Sequence, residues 1–300
     1  MRISTSTLYD QGITSVQNQQ SDLFTLQQQI ASGRRILTPA DDPINAANAL
    51  QTTQSINVNQ QYQTNVSNAK SQLNTEEGVL SQVMEVIQQA KQLTVQAGNP
   101  TVGSANYVSM ATDVQNLYDQ LLGLANQTDG NGQYLFSGFK GSTQPFTQTS
   151  GAGVYAGDQG QRRLQVGASR YIETSDDGQS VFQPGVAGKD LFKTLDDLKN
   201  ALASGAPTTA NLNQALSELD SERVNISTVT AAVGSRLREL DSLDTTTSSL
   251  ILNYQQTLSD QQDLDYSKAI SDLTKKQFNL QAAQQSYIKV TGLSLFNYMS

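Results

Sequence analysis

The chain has 300 residues, 19 Lys and Arg against 27 Asp and Glu, a formal net charge of −8, and no Cys, His or Trp. Without thiol or imidazole, disulfides, thiolate or imidazole metal sites, a Cys nucleophile and the usual neutral-pH general base are excluded. The acidic balance argues against a sequence-independent grip on nucleic acid, which needs a basic surface. The hydrophobic fraction of 37% lies below the roughly 45–50% of ordinary globular domains; it undersupplies a compact core but suffices for narrow helical seams. The expectation is a mainly α protein: an elongated antiparallel helical rod formed by N- and C-terminal segments, with a small β-rich inserted domain.

Met1-Arg2-Ile3-Ser4-Thr5 carries a charge, but no apolar run of secretory-signal length follows, and no stretch approaches the roughly 20 apolar residues of a membrane helix. On these features alone the protein reads as cytosolic, without membrane insertion. A first helix is expected over residues 6–32, its seam reading Tyr9, Ile13, Val16, Gln20, Leu23, Gln27 and Ile30 in the alternating steps of a heptad. Ser32-Gly33-Arg34-Arg35 ends it: Gly33 suits the left-handed position past the last turn, and the arginines complement the negative helix end. A partner-binding arginine pair is the sharper reading of the same residues.

Asp41-Asp42-Pro43 opens the second helix, with Asp42 as N-cap and Pro43 at the first helical position. Two adjacent carboxylates alone do not make a metal site. This helix should run over residues 44–97, with a seam through Tyr62, Val66, Ala69, Leu73, Glu76, Leu80, Val83, Ile87, Ala90 and Thr94. After the turn Gly98-Asn99-Pro100 a shorter helix, residues 106–126, should fold back. From Asp129-Gly130-Asn131-Gly132 the pattern changes to Gly-, Ser- and Thr-rich sequence with short alternating runs at 133–136, 153–155 and 163–166. Asp176-Asp177-Gly178 reads as a hairpin turn. Helix returns over 189–203.

A second long helix is expected over 210–259, through Leu212, Leu216, Leu219, Arg223, Ile226, Thr230, Val233, Leu237, Leu240, Asp244, Thr247, Ile251, Tyr254 and Leu258. Gly234 inside it costs roughly 1 kcal/mol against Ala, which asks either for a close neighbour or for a locally weak helix. The last helix, 266–291, repeats the style of the first: Tyr266, Ile270, Leu273, Gln277, Leu280, Gln284 and Tyr287. The two ends should therefore pair. Gly292 reads as a helix stop, and the apolar Leu293, Leu295 and Phe296 beyond it as an end that waits for a neighbouring subunit. The domains expected are 1–40 with 266–300 (terminal coiled coil), 41–130 with 189–265 (helical rod), and 131–188 (β-rich insert).

Met1-Arg2-Ile3-Ser4-Thr5, Ile30-Ala31-Ser32-Gly33-Arg34-Arg35-Ile36 and Pro39-Ala40-Asp41-Asp42-Pro43 resemble the start of the flagellar hook-associated protein 3 family, within the bacterial flagellin superfamily. Tyr134-Leu135-Phe136-Ser137-Gly138, then Gln277, Leu280, Ala282 and Ala283, and Ser294-Leu295-Phe296-Asn297-Tyr298 extend the likeness over nearly the whole chain. The resemblance implies a structural adaptor, not an enzyme, with no cofactor, joining the flagellar hook side to the flagellin filament at the hook–filament junction. Implied partners are hook-associated protein 1 on the hook side, flagellin on the filament side, copies of itself in a ring, and a flagellar export chaperone. It also implies secretion through the flagellar type III exporter without a cleaved signal, and an extracellular place on the flagellum, which replaces the cytosolic reading. The assembly seams would be Tyr9, Ile13, Val16, Leu23 and Ile30 with Ile270, Leu273, Leu280, Tyr287, Leu293, Leu295 and Phe296; Gly33, Arg34, Asp41, Asp42 and Pro43 carry the family motif. A flagellin filament subunit is the neighbouring alternative, opposed by Arg2-Ile3-Ser4-Thr5, by Pro43 and by last residues that are not flagellin's Leu-Leu-Arg; Gln89, where many flagellins have a receptor-contacting arginine, speaks against receptor recognition. A secreted binding module is the alternative from another class.

Overall fold

The computed structural model describes residues 5–101, 103–149, 152–184 and 190–296. Among these the elements run α1 (Thr5–Ser32), α2 (Pro43–Ala97), α3 (Ser104–Ala125), β1 (Phe146–Thr149), β2 (Ala152–Tyr155), β3 (Arg163–Gly167), β4 (Arg170–Glu173), α4 (Gly178–Phe182), α5 (Leu191–Ala203), α6 (Thr209–Gln262) and α7 (Tyr266–Phe296). The protein is mainly α, as its composition predicts, with two small two-stranded sheets. Helices α2 and α6 have 55 and 54 residues, about 80 Å each at 1.5 Å per residue. The chain divides into two compact units, residues 1–58 with 250–300, and residues 59–249.

Within the 59–249 unit, α2 buries Val66, Ala69, Leu73, Glu76, Leu80, Val83, Ile87, Ala90, Thr94 and Ala97. These positions repeat in threes and fours, so one continuous stripe faces the core. Helix α6 runs antiparallel to it, tied by Lys70 to Asp241 and Asp244 (2.9 Å each) and by Lys91 to Asp220 (2.6 Å). The stripe on α6 departs from the sequence expectation. Leu212, Leu219, Ile226, Val233 and Leu240 are buried, but between them the structure buries Ala215 and Glu222 and leaves Arg223 exposed. Ala215 and Glu222 thus take the places expected for Leu216 and Arg223, while Leu237 packs against the core and Thr247 is buried, as expected. At 222 the reading went wrong because the charge of Glu222 argues against burial in a sequence.

The hairpins β1–β2 and β3–β4 are antiparallel, the latter with an irregularity between Gln165 and Gly167. They share a hydrophobic cluster with α2, α3, α5 and α6, to which they give Phe146, Val166 and Ile172. Asn65 on α2 donates to the Gln165 carbonyl at 2.7 Å, and Arg170 pairs with Glu239 on α6. Three local expectations are corrected. Residues 133–136 form turns and not a strand, apart from one isolated bridge between Tyr134 and Thr128; Gly132 and Gly138 on either side hold positive φ, 76° and 71°. Asp176-Asp177-Gly178 is not a hairpin turn: Asp177 caps α4, accepting from the Ser180 N–H at 2.8 Å. Gly178 is required there by contact, since a Cβ would lie 2.7 Å from the Phe146 ring and 2.9 Å from the Phe136 carbonyl oxygen.

The third correction concerns Gly292. Helix α7 continues through it to Phe296, because one glycine costs only about 1 kcal/mol against Ala and does not forbid helix. Gly234 has nothing within 4 Å of where a Cβ would lie, so no close neighbour compensates for it. Gly234→Ala is expected to stabilise the 59–249 unit by about 0.5–1 kcal/mol through lower unfolded-chain entropy and better helix propensity, read as a higher urea midpoint at unchanged slope; a lowered midpoint would show that the glycine is needed.

Candidate assembly surfaces

In the unit formed by residues 1–58 and 250–300, α1 and α7 pack as an antiparallel pair. Gly12 lies against Tyr287, where a Cβ would come within 2.9 Å of the ring; Asp22 and Lys276 pair at 2.9 Å; Gly33 lies against the Tyr266 hydroxyl. The α1 face is made of Gly12, Val16, Gln19, Leu23, Leu26 and Ile30, and the α7 face of Ala269, Leu273, Lys276, Leu280, Ala283 and Tyr287. Leu26 and Ala269 are the fully buried members. Both faces keep heptad spacing, yet only Val16, Leu23, Ile30, Leu273, Leu280 and Tyr287 belong to the seams read from sequence. Gln20, Gln27, Gln277 and Gln284 are exposed, and the glutamine this interface does take in is Gln19, one residue before the expected Gln20. The interface's other alternate places go to Gly12, Ala269 and Ala283, small residues that permit close approach, and to the aliphatic stem of Lys276. A reading that looks for large apolar side chains passes over such positions.

Ile13 and Ile270 are 41% and 55% exposed, outside the α1–α7 interface. Phe24 on α1 and Phe278 on α7 are exposed as well. On a helix of 3.6 residues per turn, Ile13 and Phe24 share one azimuth about a third of a turn from the α7-facing side, whereas on α7 Ile270 lies about a third of a turn and Phe278 about half a turn from the α1-facing side. Helix α1 therefore carries a second apolar stripe beside its α7-facing side, and α7 leaves apolar residues exposed outside its α1-facing side. Tyr9, Leu293, Leu295 and Phe296 lie within the helices, with side chains outside the described residues, as is Tyr298 altogether.

The arginine–aspartate motif joins the α1–α2 connection to the α6–α7 connection. Gly33 adopts φ 72°, and its carbonyl accepts from the Leu264 N–H at 3.0 Å. Arg34 forms an antiparallel bridge with Asp263. Arg35 donates its backbone N–H to the Gln262 carbonyl (2.7 Å) and Nη2 to the Gln261 carbonyl (2.8 Å), while Nη1 meets Asp42 Oδ2 at 3.3 Å. Asp41 Oδ2 accepts from the Thr38 and Leu37 N–H groups at 2.7 and 3.0 Å. These bonds, that of Thr38 foremost, hold the Asp41 carboxyl below the usual range. Asp42 caps α2 before Pro43 by accepting from Asn45 N (3.1 Å) and Nδ2 (2.6 Å), which with Arg35 lowers its carboxyl likewise. The arginine pair thus splits into two roles: Arg35 is a structural clamp, and the Arg34 side chain stays exposed. Among the described residues no group of three potential metal ligands occurs, and no helix is long and apolar enough to cross a membrane.

Two long helices, a shared core with two hairpins and a paired-terminus unit clamped by a Gly-Arg-Arg…Asp-Asp-Pro motif are thus on one chain. Residues 3–141 match the family model of the bacterial flagellin N-terminal helical region. Flagellar hook-associated protein 3 of Escherichia coli (strain K12) is 36% identical over 315 residues, covering 99% of both chains. The chain belongs to the flagellar hook-associated protein 3 family. Two solved structures share the fold: a flagellar hook-associated protein from Vibrio parahaemolyticus (24% identity, TM-score 0.70, 74% of this chain and 100% of that one) and the flagellar junction protein FlgL from Legionella pneumophila (21%, 0.62, 72% and 100%). Membership in the hook-associated protein 3 family covers the chain end to end, whereas the flagellin model stops at residue 141. That difference favours the family over a flagellin filament subunit.

Proposed function

We propose that the protein is the structural adaptor of the hook–filament junction, joining the hook side of the flagellum to the flagellin filament. The observation that carries this is the end-to-end 36% identity to a flagellar hook-associated protein 3. The apolar residues that α1 and α7 leave exposed outside their shared interface support it, because they offer a surface to neighbouring helices. In this reading Ile13, Phe24, Ile270 and Phe278 meet neighbouring subunits, and Leu293, Leu295 and Phe296 are assigned to the same assembly role. Residues 1–40 with 266–300 act as the assembly domain, 41–130 with 189–265 as the rod, and 131–188 as the insert. The partners are hook-associated protein 1, flagellin, further copies of the chain in a ring, and an export chaperone. The route to the outside is the flagellar type III exporter, without a cleaved signal. No catalysis and no cofactor are assigned.

Deletion of the gene, followed by electron microscopy of the cells and assay of the medium, tests the adaptor role. The expected result is intact hooks without filaments and flagellin shed into the medium. Loss of the major filament protein itself would identify a flagellin, and normal filaments would remove the assignment.

A further inference from the structure

Helices α2 and α6 bury an ionisable cluster that assembly does not account for. Glu76 on α2 is 2% exposed, and Arg236 on α6 is largely buried. Both face the segment 174–177, which leaves β4 for α4 and whose four residues Thr174, Ser175, Asp176 and Asp177 are all buried. Arg236 Nη2 donates to both carboxylate oxygens of Asp176, at 2.8 and 2.9 Å, and the Asp176 backbone N–H donates to Glu76 Oε1 at 3.2 Å. Glu76 Oε2 and Arg236 Nη1 have no hydrogen-bond partner among the described residues. Asp177 is occupied in capping α4.

We propose that Glu76, Asp176 and Arg236 form a proton-operated latch that seats segment 174–177 on α2 and α6. The site holds two carboxyl groups and one guanidinium. With Glu76 protonated, Asp176 and Arg236 balance and the buried charge is zero. When Glu76 loses its proton, the site holds a net negative charge shielded from water, a costly state relieved by lifting the segment and hydrating the carboxylate. Burial first, then the Asp176 carboxylate, push the Glu76 carboxyl up to about 8, against partial opposition from Arg236 and from the Asp176 N–H.

The seated form therefore binds one proton more than the lifted form across the interval from the ordinary value of 4.5 to about 8. A group raised in the folded state contributes stability that is complete below its unfolded pKa and lost as pH rises through its folded one. The latch is tightest in acid, loosens through neutral pH and has lost its proton-linked stabilisation above about 8. It does not depend on the flagellar reading, since all three groups act within the 59–249 unit.

Amide exchange at Asp176, corrected for intrinsic base catalysis, measures opening directly in the full chain. The opening constant is expected to rise about tenfold per pH unit between roughly pH 5 and pH 8, and to stay flat in Glu76→Gln, which keeps an acceptor for the Asp176 N–H but has no proton to lose. An equal rise in Glu76→Gln would overturn the latch. Should that variant fail to fold, a carboxyl-carbon NMR titration of the unmodified chain decides: a Glu76 midpoint near 8 supports the proposal and one near 4.5 refutes it.

Discussion

A Leu273→Pro chain is expected to leave hooks bare of filaments while the 59–249 unit stays folded. Leu273 sits in the interior of α7, half-buried against α1. Proline there removes the backbone N–H that bonds the carbonyl four residues back, and its ring clashes with that carbonyl, at a cost of about 3 kcal/mol or more. The α1–α7 interface is thin: most of its members are half-buried, and its ion pair, Asp22 with Lys276, is exposed and worth little. A penalty of that size exceeds what such an interface can absorb. The 59–249 unit has its own core through α2, α3, α5 and α6, so its melting transition should be unchanged. Electron microscopy of cells making only the variant reads the first effect, and circular dichroism melting the second. Normal filaments would mean that the α1–α7 pair is dispensable for attachment.

The largest stability loss is expected from Phe146→Ala. Phe146 is fully buried at the start of β1 and touches three rings: Phe192 of α5 with centroids at 4.9 Å, Tyr155 of β2 at 5.2 Å and Phe182 of α4 at 5.4 Å. Its backbone is pinned from both sides by Asn126, which accepts its N–H and donates to its carbonyl, each at 2.9 Å. With the peptide so held, the surroundings cannot collapse into the space the ring leaves. Truncation should cost about 3–5 kcal/mol, the lost transfer energy plus a cavity term. Urea unfolding should show the midpoint falling by that amount; a loss under about 1 kcal/mol would show that the four aromatic elements repack freely. Because α1 and α7 take no part in this cluster, the deficit belongs to the 59–249 unit alone.

Much of the architecture was legible in the residues themselves. The stripe from Val66 to Thr94 on α2 was read position by position, since nearly all of its members are apolar and a repeat sustained over four heptads fixes the phase. Asp42-Pro43 announced the start of α2, and Gly33 the end of α1, because capping chemistry is local. The ends of α3, α5 and α6 fell within two or three residues of their expected places for the same reason.

What the sequence could not supply was the phase of a seam whose members are small or charged. On α1 and α7 one position of each heptad was read correctly and the other one residue away, and on α6 the same happened at 215 and 222, because Gly12, Ala269 and Ala283 look too small, and Glu222 too polar, to be buried. Whether a glycine marks close approach or a carboxylate finds a guanidinium depends on an element distant along the chain. Gly12 meets Tyr287 across 275 positions, and Glu76 and Arg236 find segment 174–177 only after α2, α6 and β4 have come together. Local propensity and period decide which elements form and where they stop. Only the packing of distant elements decides which face each one turns inward, because burial is a property of the neighbour as much as of the residue.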